Sequence, residues 1–153
     1  MFLQKKGRTA KINKLGSVKC KYGTVDCQEF KSIYLILECW LEPKSETENW
    51  SRIVNLLDRE IKSVIKTSLN NKIFKEKFIS DLDLRYSGMK LSKRSFLSLE
   101  INLFIKNQDF NFKSKEIKDS MINLSSKIVS TTLDNNKWFT IHSSKKKSIL
   151  DNF

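Results

Sequence analysis

The chain has 153 residues, with 29 Lys and Arg against 17 Asp and Glu, one His, three Cys, four Gly and one Pro. That length suits one domain with a real core, and a hydrophobic content of 39% is too high for a disordered chain. So little Gly and Pro excludes collagen-like and linker-like sequences, and no apolar run approaches the ~20 residues that span a bilayer. The start, Met1 to Lys6, lacks an apolar stretch, so a secretory signal is not expected.

The net charge of +12 is uneven. Residues 1–29 carry seven basic and two acidic side chains, residues 144–153 three and one, and the long middle segment 30–143 carries 19 and 14. The expected organisation is therefore a basic extended N-terminal arm (1–29), a folded body (30–143) and a short basic tail (144–153). The arm has scattered apolar positions at Ile12, Leu15, Val18, Tyr22 and Val25, with room for one short strand. Basic segments attract polyanions or acidic protein neighbours through long-range Coulomb forces. The residues expected to make such contacts are Lys5, Lys6, Arg8, Lys11 and Lys14 in the arm and Lys145, Lys146 and Lys147 in the tail.

From Phe30 to Glu42 the sequence alternates, with Ile33, Leu35, Leu37, Cys39 and Leu41 on one face and Tyr34, Ile36, Glu38, Trp40 and Glu42 on the other. Pro43 closes this strand by removing a ladder donor. Ser45 to Glu48 fits a capping box, and Trp50, Ile53, Val54, Leu57, Ile61, Val64, Ile65 and Leu69 then follow 3.6-residue spacing, an amphipathic helix stopped at Asn70-Asn71. Residues 73–86 return to period two, with Phe78, Leu82, Leu84 and Tyr86 on one side and Ile79, Asp81, Asp83 and Arg85 on the other. Residues 87–92 read as a hairpin connection. The next strand points Leu97, Leu99, Ile101, Leu103 and Ile105 inward and Phe96, Ser98, Glu100, Asn102 and Phe104 outward. A second helix over 114–133 buries Ile117, Met121, Leu124, Ile128 and Val129, and Lys137 to His142 is a short last strand.

This order, βαββαβ, predicts an α+β fold of ferredoxin-like type: an antiparallel sheet with two helices on one face. The other face is left for solvent or a partner. With the first and third strands of that pattern side by side, Tyr34, Ile36, Trp40, Phe96 and Phe104 form an apolar patch, and a patch of that size marks an interface. Base stacking on these aromatics is an alternative, although Lys93-Arg94-Ser95-Phe96 is followed by Leu97-Ser98-Leu99 without the Gly and second aromatic of the RNA-recognition signature. Glu38, Glu100, Asp81 and Asp83 share that face and raise Mg²⁺ binding as a further alternative, against the simpler reading that they are solvated or paired with Arg85, Lys106 and Lys75.

Cys20, Cys27 and Cys39 are odd in number and lack a CxxC pair, which supports neither a zinc knuckle nor a disulfide framework. A single His near the chain's end and four scattered glycines leave no nucleophile motif, P-loop or dinucleotide fingerprint. No enzyme activity, cofactor, metal, small-molecule substrate or membrane association is expected.

The segment from Asp81 to Phe104, Asp-Leu-Asp-Leu-Arg-Tyr-Ser-Gly followed by Lys-Arg-Ser-Phe-Leu-Ser-Leu-Glu-Ile-Asn-Leu-Phe, resembles small proteins of tailed bacteriophages, and its style is similar to that of crAss-like phages. The resemblance covers about a sixth of the chain and implies a virion component assembled in the host cytoplasm. Such a component would be a neck, ring or tail-completion subunit, repeated around a symmetry axis and contacting copies of itself and other subunits. It carries over no catalytic residue.

Overall fold

A computed structural model describes residues 10–45, 49–68, 79–91, 94–134 and 136–141. It is an α+β structure with an antiparallel sheet and two helices. The strands are β1 (Ala10–Leu15), β2 (Val18–Asp26), β3 (Phe30–Pro43), β4 (Ile79–Leu91), β5 (Arg94–Lys106) and β6 (Phe139–Ile141). The helices are α1 (Trp50–Ser68) and α2 (Ser114–Ile128), and α2 runs on into a π-helical turn, Val129–Leu133, closed by the Asp134 N–H donating to the Val129 carbonyl at 2.8 Å.

The strands order as β1-β2-β3-β5-β4, and β6 pairs with the last three residues of β3. β3 and β5 therefore lie side by side, in register from Phe30↔Lys106 to Leu41↔Ser95. Alternation does the rest: Ile33, Leu35, Leu37, Cys39 and Leu41 of β3 and Leu97, Leu99, Ile101, Leu103 and Ile105 of β5 meet Ile53, Leu57, Ile61 and Ile65 of α1 and Ile117, Met121, Leu124 and Ile128 of α2 in one core. Each is almost fully buried, worth about 1.5–3 kcal/mol per large aliphatic side chain.

The reading of 1–29 as an extended arm needs correction. Residues 10–26 are a hairpin, turned at Gly16 (φ +63°) and Ser17, that extends the sheet beyond β3. A two-residue turn favours a positive φ, and glycine adopts one without a Cβ clash. The apolar face that recruits the hairpin is Val18, Cys20 and Tyr22, the first two fully buried and the third packed against the core. Cysteine completes an alternation that otherwise reads as Lys-rich.

Two boundaries also move. The strand expected over 73–86 is described from Ile79, and it continues through Ser87 and Gly88 to Leu91 because each of those residues has a partner on β5, ending with Leu91↔Arg94. Gly88 serves that strand rather than a turn: a Cβ there would collide with the Trp50 ring at the start of α1 and come within 2.6 Å of the Phe96 carbonyl. At the start of the first helix Asn49 Oδ1 accepts the Arg52 N–H at 2.8 Å, an N-cap bond; the rest of the capping box expected from Ser45 to Glu48, residues 46–48, lies outside the described residues. Glu48, Leu69 to Phe78 and His142 lie outside the described residues, as does the tail 144–153.

Candidate functional interface on the open sheet face

The sheet face turned away from the helices is built by the even-numbered residues of β3 and β5 and the odd-numbered residues of β2 and β4. The five apolar positions expected to form one patch are placed at three sites. Trp40 and Phe96 are register partners, with ring centroids 5.1 Å apart and planes at 70°, an edge-to-face pair. The Arg94 guanidinium lies 5.6 Å from the Trp40 ring centroid, within cation–π range. The Trp40 Nε1 is shielded from water and has no acceptor, which costs about 1–3 kcal/mol.

Phe104 sits opposite Ser32 on β3, eight residues from Phe96 along β5, or roughly 27 Å at strand rise. Ile36 lies between the two ends, opposite Glu100. Tyr34 is not an exposed patch residue at all: it is 1% exposed, with its ring over Gly23, its partner on β2. The end of the face that holds Val25, Ser32, Tyr34 and Asn102 is buried. The apolar residues of the expected patch that meet are thus Trp40 and Phe96, both half-buried, with Arg94 as an addition that strand alternation alone did not single out.

Between the two ends is a polar depression of about 420 Å³ whose lining includes Lys21, Ile36, Glu38, Arg85, Ser98 and Glu100. Glu38 and Glu100 in that lining, and Asp81 and Asp83 on the same face of the sheet, are each engaged. Lys21 Nζ is 3.2 Å from Glu38, Arg85 Nε donates to Asp83 at 2.8 Å, Asn102 Nδ2 donates to Glu100 at 3.2 Å, and Asp81 accepts the Leu82 N–H at 2.9 Å. Among the described residues no three His, Cys, Asp or Glu side chains gather as a metal site would need. Asp83 and Glu100 flank Arg85 and raise its pKa, the hydrogen bond to Asp83 contributing most.

Of the basic residues singled out for polyanion contact, Lys11 and Lys14 belong to β1. Lys5, Lys6, Arg8, Lys145, Lys146 and Lys147 lie outside the described residues. Cys20 and Cys39 are buried thiols whose pKa values burial pushes up to about 11 and about 12, and Cys27 is half-buried. Among the described residues no helix is long and apolar enough to cross a membrane. Comparison with protein-family models, with curated proteins and with solved structures finds no match to this chain, so its functional reading rests on its own residues.

Proposed function

We propose that this chain is a non-enzymatic structural subunit of a multi-chain assembly, and concretely a tailed-phage virion component. The observation that carries the reading is the Trp40–Phe96–Arg94 cluster on the sheet face opposite α1 and α2. Trp and Arg are the residues that most often anchor protein interfaces, and a rigid aromatic pair buries area at low entropic cost. The order β6-β3-β5-β4 within the sheet supports a ferredoxin-like unit to which β1 and β2 are added. The more specific form of the proposal rests on the resemblance of the segment Asp81 to Phe104 to small phage proteins.

The test is light scattering behind size exclusion, in low and high salt, on the parent chain and on Trp40→Ala. The reading expects an oligomer that persists in high salt, and for Trp40→Ala an unchanged circular dichroism spectrum with association weakened roughly 30-fold, the scale of a hot-spot truncation. A parent chain that is monomeric in every condition overturns the reading.

Nucleic-acid binding is the second reading, favoured by the placement of Lys11, Lys14, Lys19 and Lys21 on one hairpin at the sheet's edge. It expects 260 nm-absorbing material bound at low salt and a log-linear loss of affinity as salt rises.

A further inference from the structure

Among the described residues, β4 hydrogen-bonds to β5 alone and forms one edge of the sheet. It is thirteen residues long, contains no Pro, and its irregular pairing is confined to the Ile79/Asp81 end. From Asp81 onward its register with β5 is unshifted, so its outer side offers an uninterrupted row of backbone donors and acceptors, the kind of edge that another strand extends.

The side chains along this edge select the occupant. On the open face β4 presents Asp81, Asp83, Arg85 and Ser87 in turn. An antiparallel β4 from a second copy, related by a two-fold axis through Leu84, sets Arg85 opposite the partner's Asp83 and Asp83 opposite the partner's Arg85. Arg85 already has Glu100 across from it on β5, so the joined row would read Glu100, Arg85, then the partner's Asp83: negative, positive, negative. Only this register makes both charge pairs without a like-charge contact. An axis at Asp83 pairs Asp81 with Arg85 but sets Asp83 against itself at the centre, an axis at Arg85 sets Arg85 against itself, and an axis at Leu82 opposes Asp81 to Asp83. On the helix-covered face the same axis at Leu84 brings Leu84 against Leu84 and Leu82 against Tyr86. All three are only half-buried in the single chain, so pairing covers apolar surface as well as matching charge.

We propose that two copies of this chain pair antiparallel through β4 about a two-fold axis at Leu84, joining their sheets into one. The inference deepens the assembly-subunit reading, rests on it, and names one of its contacts.

The experiment uses the full chain carrying Cys27→Ser to remove the accessible thiol. In that background, Asp81→Cys with Ser87→Cys places each new thiol opposite the other's counterpart in the second copy. The two are six residues apart in one chain, roughly 20 Å, which is too far to bridge internally. Mild oxidation is expected to give a covalent dimer on a non-reducing gel from the double variant and not from either single variant. In light scattering, Arg85→Glu is expected to weaken association at least tenfold, and Asp83→Arg with Arg85→Asp to restore it, with circular dichroism confirming each fold. An oligomer that ignores both charge variants and forms no cross-link overturns β4 pairing while leaving the subunit reading in place. A parent chain that is monomeric up to hundreds of micromolar overturns both.

Discussion

The ring of Tyr34 on β3 lies over Gly23, its register partner on β2, and fills the space a Cβ at position 23 would occupy. Glycine in a strand interior is usually a weakness, since it adds no packing and has more backbone freedom to lose. Here an aromatic neighbour covers it, and that pairing takes Tyr34 out of the exposed patch in which alternation had placed it.

Gly23→Ala is therefore expected to destabilise the fold by about 1–3 kcal/mol, the range for overpacking a filled site. Tyr34 is almost fully buried and has no free direction in which to swing. In a Tyr34→Ala background the added methyl should cost markedly less, so a double-mutant cycle in urea should show coupling between the two positions. Additive effects would mean that the ring and position 23 do not touch.

The start of the first helix carries a side-chain cap. Asn49→Ala removes the acceptor for the Arg52 N–H and is expected to lower stability by about 1 kcal/mol. Denaturant midpoints of this variant and the parent check it, and an unchanged midpoint would mean that the Asn49 cap contributes nothing.

The three thiols should react in two classes. Cys20 and Cys39 are buried and free of disulfides, while Cys27 is half-buried. One equivalent of a thiol reagent is expected to react in the native protein and three after unfolding. Burial and the neighbouring Asp26 both raise the Cys27 pKa, burial more, so even this thiol should react faster as the buffer is taken above pH 8.

Alkaline pH should unfold the protein through the same buried groups. Burial raises the pKa of Cys39 to about 12 and of Cys20 to about 11. Burial also raises that of Tyr86, aided by its hydrogen bond to Asp58 at 2.9 Å. Each is neutral in the native state, and the unfolded chain gives up these protons first. Their contribution is complete below about pH 8.5 and is lost as pH climbs from about 9 toward 12. Each buried thiol adds a slope of up to about 1.4 kcal/mol per pH unit in that window. Urea midpoints at pH 8 and pH 10.5 should differ, and Cys39→Ala should flatten the difference.

Periodicity alone determined the parts of this protein whose neighbours are guaranteed. The alternation of β3 and β5 and the 3.6-residue spacing of α1 and α2 each require one apolar face to be covered, and the core contains most of the side chains that these patterns select, while Val54 is only half-buried and Leu69 lies outside the described residues. The tertiary structure decided what depends on an adjacent strand. Val18 and Cys20 become core only because β2 joins β3, Gly88 belongs to a strand only because β5 continues beside it, and Tyr34 lays its ring over Gly23 in an end of the face that is buried. The patch divides for the same reason. A one-dimensional pattern states which face a residue occupies, but distance along the strand and the size of the cross-strand neighbour determine which residues on that face meet. Trp40 and Phe96 stand in register and touch, while Phe104, on the same face, is roughly 27 Å away.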